Sequence, residues 1–170
     1  VSPPGQQVSI SWPGMACEEG LTQPTCTITP MAEGMMAITA VATDDDGATT
    51  TVETSLDVLN VAPTLAAPEL WYGGSNLSAD TTGVWYLDED QVALLRIGAD
   101  DTLSDRDDIT IEWTPSDRDM NWTEATRGPA STATVSWTTS GLHNISVVAY
   151  DDDGAQSMIK TAQISIRNVA

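Results

Sequence analysis

GMMAITAVATDDDGA, residues 34–48, and GLHNISVVAYDDDGA, residues 141–155, are two versions of one segment. They share the opening glycine, Ile38 and Ile145, Ala42 and Ala149, and the whole DDDGA run. The match continues outward. Upstream, Thr27-Ile28-Thr29 lies over Thr134-Val135-Ser136; downstream, Asn60-Val61-Ala62 lies over Asn168-Val169-Ala170. With a shorter intervening stretch in the first copy, VSISW (8–12) lies over ITIEW (109–113). An internal repeat of this kind sets the reading of the whole chain. It predicts a complete second copy over 63–170 and a first copy, 1–62, that matches only the back half of the unit.

Inside the repeat the hydrophobic period is two. Ile109, Ile111 and Trp113 alternate with Thr110 and Glu112; Ile145, Val147 and Ala149 share one face; Ala162, Ile164 and Ile166 alternate with Gln163, Ser165 and Arg167. Alternation rich in β-branched residues marks half-buried strands. Each DDDG stands between two such strands and predicts a turn in which Gly47 or Gly154 takes positive φ. No segment reads as an amphipathic helix. Short strands with turn signals at this spacing predict an all-β chain of tandem immunoglobulin-like antiparallel sandwiches.

Charge narrows the functions. The 25 acidic residues outnumber the 6 basic ones, for a net charge of −19. Nothing here can neutralise a phosphate backbone, so nucleic acid is excluded as a partner, and anionic membrane surfaces equally. Such a surface suits divalent cations and a salty, marine setting in which screening weakens self-repulsion. No apolar run is long enough to span a bilayer, which predicts no membrane insertion of this segment.

Cys17 and Cys26 lie in a loop with Gly20 and Pro24 and with no histidine near them, which disfavours zinc. Two readings remain, a local disulfide and a pair of free thiols. The disulfide is the better one and implies an oxidising, extracellular compartment. Three of the five asparagines stand in glycosylation sequons: Asn76, Asn121 and Asn144. Sequons match by chance as well as by design, but these point to the same compartment.

The segments ATDDDGATTTVETSLDVLNVAPT (42–64) and AYDDDGAQSMIKTAQISIRNVA (149–170) resemble the closing hairpin and linker of PKD-type repeats. Ser104-Asp105-Arg106-Asp107-Asp108, ahead of ITIEW, is similar to that family's acidic loop before its tryptophan-bearing strand. The resemblance implies immunoglobulin-like modules of prokaryotic surface or secreted proteins, archaeal ones included. It also implies calcium, with Asp105, Asp107 and Asp151 as ligands and Asn60 from the linker. In the first copy only Asp44 has a counterpart. Calcium takes six to eight oxygen ligands, and turns gathered at one end of a sandwich supply them. The plain alternative is that each DDDG is a solvated turn. Asp88, Glu89 and Asp90 form a further acidic loop, expected to be solvated rather than ligating.

Catalysis finds no support: the single histidine, His143, starts a strand and reads as a packing or surface residue, and no nucleophile elbow or phosphate loop occurs. Trp12, Trp113 and Trp137 sit at alternating strand positions and read as core. Trp71 and Trp85 lack counterparts in the first copy and are candidates for stacking on glycans. The function expected is therefore a non-catalytic structural or adhesion segment of an extracellular surface protein, such as a stalk, surface layer or filament. Its partners would be neighbouring repeats, other copies of itself or surface glycans. The rival is a carbohydrate-binding accessory module of a secreted hydrolase.

The first copy poses a separate question. Its strands carry inward residues, Ile10, Trp12, Ile28, Ile38, Ala40, Leu56 and Val58, yet the opening strands of the repeat have no counterpart. Three explanations stay open, in this order. The segment belongs to a longer polypeptide that carries those strands, it is a smaller sandwich that closes in its own way, or a neighbouring subunit donates a strand.

Overall fold

A computed structural model of the chain describes residues 7–116 and 128–169, and the backbone alone at 120–124. Two compact units divide it, Val1–Asn60 and Val61–Ala170. Every named element is a strand.

In the first unit, β1 (Val8–Ser11), β2 (Gly34–Asp44) and β3 (Thr49–Val58) form one antiparallel sheet in the order β1-β2-β3. The second unit adds β4 (Thr64–Leu65), β5 (Glu69–Tyr72), β6 (Ser75–Leu77), β7 (Val84–Asp88), β8 (Ala93–Asp100), β9 (Thr110–Pro115), β10 (Met120–Glu124), β11 (Ala130–Trp137), β12 (Gly141–Tyr150) and β13 (Lys160–Arg167). These make two sheets. One runs β10-β11-β8-β5-β6, with β4 also on β8; the other runs β7-β13-β12-β9. All neighbours are antiparallel except β7 and β13, which pair in parallel. This is an immunoglobulin-like sandwich, with a buried tryptophan, Trp113, on β9 facing the opposite sheet.

The alternation explains the layers. On β8, Ala93, Leu95 and Ile97 point inward; on β11, Ala133, Val135 and Trp137. Opposite them, β9 turns in Ile111 and Trp113, β12 Ile145, Val147 and Ala149, and β13 Ala162, Ile164 and Ile166. All belong to one apolar cluster. Burying each large side chain contributes roughly 1.5–3 kcal/mol, so the inner faces hold the unit together. Between the layers the Trp113 indole N–H donates to Ser131 Oγ at 2.9 Å, which satisfies a polar group that burial would otherwise strand.

The repeat is present in the backbone, strand for strand. Ile10 faces Ala42 across β1–β2 as Ile111 faces Ala149 across β9–β12. Ile38 faces Thr54 across β2–β3 as Ile145 faces Ala162 across β12–β13. The first unit is thus the β9-β12-β13 sheet in unchanged register. What differs is the layer in front of it. The Thr27–Thr29 segment, which the repeat alignment sets over part of β11, forms no strand. No described residue of the first unit is buried, and Ile10, Trp12, Ile28, Ile38, Ala40 and Val58 are only half-covered. Leu56 is 40% exposed where its counterpart Ile164 is 0%. The second unit has two facing sheets, whereas the described part of the first unit has a single sheet. An alternating sequence specifies an apolar face but does not itself supply the layer that covers it.

Candidate functional site

Both DDDG runs fold into the same turn. Asp44 N–H donates to Ala48 O and Gly47 N–H to Asp44 O; Asp151 N–H donates to Ala155 O and Gly154 N–H to Asp151 O. In each, the first aspartate's Oδ1 accepts the backbone N–H four residues on, at 2.7 Å. Gly47 and Gly154 both have φ of 86°, a left-handed conformation that costs other residues steric strain. A third copy stands at Asp80-Thr81-Thr82-Gly83, which no repeat alignment marks. Asp80 N–H donates to Val84 O, Gly83 N–H to Asp80 O, and Asp80 Oδ1 accepts Val84 N–H at 3.0 Å. Asp80 also accepts from the Thr82 hydroxyl and N–H and from Tyr86 Oη. These bonds, the Thr82 hydroxyl's first, hold its carboxyl well below the usual carboxylate range. The common signal is Asp-x-x-Gly between strands, with a short side chain that closes its own turn.

Only one of the three turns has its first aspartate withdrawn from water, while the rest of that turn, Asp152 to Gly154, is exposed. Asp151 is 6% exposed, while Asp44 is half-buried and Asp80 exposed. Asp105, in the 102–108 loop, is 4% exposed, and its Oδ2 accepts the Thr102 hydroxyl at 2.7 Å. The acidic loop thus turns Asp105 away from water. Asp101, absent from the sequence reading, joins them. Its Oδ1 accepts Thr102 N–H, and its Oδ2 is buried with no hydrogen-bond partner among the described residues. Burial first, then the charges of Asp105, Asp151 and Asp100, push its carboxyl above the usual range. Asp100 is paired with Arg106 at 2.7 Å.

Of the other expected ligands, Asp107 is exposed, Asn60 is the half-buried last residue of the first unit, and Asp44 has no acidic loop beside it in its own unit. As the side chains stand, no group of three or more His, Cys, Asp or Glu among the described residues has metal-holding geometry. The Asp88–Asp90 loop, expected to be solvated, is a tie between strand ends. Asp88 pairs with Arg167 at 2.8 Å, Glu89 N–H donates to Arg167 O, and Asp90, at φ 62°, donates to Trp137 O.

The two stacking candidates separate. Trp85 is 9% exposed and part of the core: the parallel pairing of β7 sets it beside Ile164, and its indole N–H donates to Leu77 O. It has no face to offer a sugar. Trp71 is half-exposed, its N–H donates to Glu69, and the Arg96 guanidinium lies 5.1 Å from its ring centroid. Beside it Gly73, Gly74, Val92, Leu94 and Thr134 line a shallow hollow of about 330 Å³. His143 is buried against Trp137, ring centroids 5.2 Å apart, with its Nε2 near Thr139 O. It is a packing residue.

Among the sequons, Asn76 is exposed on β6, and Asn144 is half-buried with its amide oxygen accepting from Gln163. Asn121 lies on β10, with its side chain outside the described residues. Cys17 and Cys26 are disulfide-bonded, Cα to Cα 4.9 Å. Around them Trp12 donates its N–H to Leu21 O and its indole N–H to Gln23 O, and Glu19 accepts from the hydroxyl and N–H of Thr27.

No family model matches the chain, and no curated protein matches it in sequence. Solved structures similar to it include domains 1–6 of the surface layer protein SbsC, at 11% identity and a TM-score of 0.47 over 96% of this chain. The fibronectin(III)-like modules of Clostridium thermocellum CbhA match at 20% identity and a TM-score of 0.34, over 99% of this chain and 83% of theirs. The titin Ig tandem A164–A165 matches at 14% and 0.37, over 98% and 84%. The chain spans only 20% of the SbsC structure. No helix is long and apolar enough to cross a membrane.

Proposed function

We propose that this chain is a non-catalytic structural or adhesion segment of an extracellular surface protein, a PKD-like repeat pair whose complete unit is stabilised by calcium. The observation that carries the structural part is the interior of the second unit. Side chains from both sheets fill it, and the strands spend their inward faces on packing rather than on a cleft. The disulfide supports an oxidising, extracellular setting.

Calcium is supported by the carboxylates of Asp101, Asp105 and Asp151. The two most buried are drawn from separate loops, and Asp101 feels the charge of both. Mutual repulsion and an unsatisfied buried oxygen are costs that a divalent cation removes. Asp101 takes the place that sequence reasoning assigned to Asp107. Backbone carbonyls and water would complete the shell.

The test is thermal unfolding in calcium and in chelator. A ligand that binds only the folded state adds roughly 2.7 kcal/mol at a hundredfold excess over its Kd, a rise of several degrees. Asp105→Asn and Asp101→Asn each abolish that rise. An identical melting temperature in calcium and chelator leaves these loops as ordinary turns.

A carbohydrate-binding module is the second reading, and Trp71 beside its hollow is the observation that favours it. Polysaccharide pull-down separates the two: sugar binding lost in Trp71→Ala and kept in Trp85→Tyr supports the module.

A further inference from the structure

The second unit shows what the first unit's sheet is built to carry. Its β9-β12-β13 face is covered by the layer containing β5, β8 and β11, and the outer edge of β13 is paired in parallel by β7. The β1-β2-β3 sheet has the same strands in the same register, with Ile10, Trp12, Met36, Ile38, Leu56 and Val58 along the equivalent face. That face is not buried at any described position, and among the described residues β3 pairs only with β2. The disulfide loop reaches it at one end, through the Trp12–Gln23 and Trp12–Leu21 hydrogen bonds, and leaves Leu56 exposed. Ten residues of β3, rich in threonine and nearly all exposed, form an edge of the kind that recruits further strands.

We infer that this face and edge are a docking surface for the missing half of a sandwich: a β-layer of the β4–β8 type. We further infer that it is supplied in the same polypeptide ahead of β1. The repeat itself argues for that source. In the second unit β4 to β8 precede β9 in chain order, and β1 is the counterpart of β9. The occupant's chemistry follows from the template. A strand in β8's place presents apolar residues two apart, as Leu95 and Ile97 do, and a strand in β7's place runs parallel to β3 with an apolar residue beside Leu56, as Trp85 stands beside Ile164.

The experiment grafts residues 61–108 directly before Val8, the position they hold before Ile109, and follows amide hydrogen exchange over 34–58. Residues 141–167 of the same molecule serve as the internal standard for folding. Exchange over 34–58 is expected to slow at least about tenfold, because closing the sandwich raises the free energy of local opening. A graft carrying Leu95→Asp and Ile97→Asp restores fast exchange. The polypeptide's own residues preceding β1 are expected to give the same protection. Three results overturn the inference. The graft leaves 34–58 unprotected, or those amides in the 170-residue chain already match 141–167 at every concentration, so the unit closes alone. Or their protection rises with concentration, so a second copy is the occupant.

Discussion

The two units make a natural pair of experiments. Both contain a short first strand with a tryptophan at the equivalent position, in β9 or just after β1, then a long strand, an Asp-x-x-Gly turn and a closing strand, held in one register. In the second unit the inward residues are removed from water by an opposing sheet; in the first they are half-covered or, at Leu56, exposed, and the disulfide-closed loop meets them at Trp12. Hydrogen-bonded pairing is therefore common to both, and burial belongs to one. The lesson is that register follows from turns and alternation within a sheet, whereas stability follows from what lies across from it.

The sharpest way to break this comparison is to truncate the same isoleucine in each unit. Ile145→Ala removes a side chain with no exposed surface and is expected to cost about 2–5 kcal/mol in chemical denaturation. Ile38→Ala, half-covered, is expected to cost about 1 kcal/mol or less in local opening of its own unit, since little burial is lost. Equal costs would mean that the first unit's face is covered after all.

Reduction of the disulfide comes next. Cys17→Ser with Cys26→Ser opens a loop of sequence separation 9 and is expected to destabilise the first unit by about 2.5–3 kcal/mol in the chain-entropy model. The melting temperature of the second unit should not move. A shift in both would show that the units share a stability that their separate cores do not predict.

The turns should behave alike. Gly47→Ala and Gly154→Ala each force an alanine to φ of 86°, with no neighbouring atom within 4 Å of the added Cβ. Strain alone then predicts about 1–2 kcal/mol in each unit, read by urea titration. A much larger cost at Gly154 would point to a role for the Asp151 turn beyond closing itself.

Acidity gives the smallest and most diagnostic effects. Asp80's carboxyl is held low by Thr82, Val84 and Tyr86, so its contribution is present above the unfolded carboxylate range and is lost as pH falls through its lower folded value. Asp101 has the opposite sign. Its raised folded value favours the protonated form, so stability falls as pH rises from the unfolded range through that value. Asp101→Asn should flatten that fall, and Asp80→Asn should flatten the acid loss. In the first unit Glu19 is lowered by its Thr27 hydrogen bonds and behaves like Asp80. Melting curves of the parent, Asp80→Asn, Asp101→Asn and Glu19→Gln from about pH 1 to pH 7 check all three signs.

Much of the second unit was legible in the chain. The faces of β9, β12 and β13 were each assigned by period two, and the DDDG turns by their glycines, because both signals are local. The parallel pairing of β7 was not legible, since two strands that meet only at the edge of a sheet carry no mark of their partner. For that reason Trp71 and Trp85 looked equivalent in sequence, yet one is core and the other lies beside a surface hollow. Asp101 was missed for a similar cause. Its neighbours Asp100 and Asp107 look the same on paper, and only the path of the 102–108 loop decides which carboxylate loses its water.

What the sequence by itself determined is the repeat, the strand faces and the register, because these depend on spacing along the chain and on turn residues that act within a few positions. Only the tertiary structure decided which faces are buried. It set Leu56 in the open and Ile164 in the core, gathered Asp101, Asp105 and Asp151, and tied Asp88–Asp90 to the ends of β11 and β13. The physical reason is that burial and charge proximity are properties of the space between layers. Two segments with the same alternation acquire different energies there according to what stands opposite them.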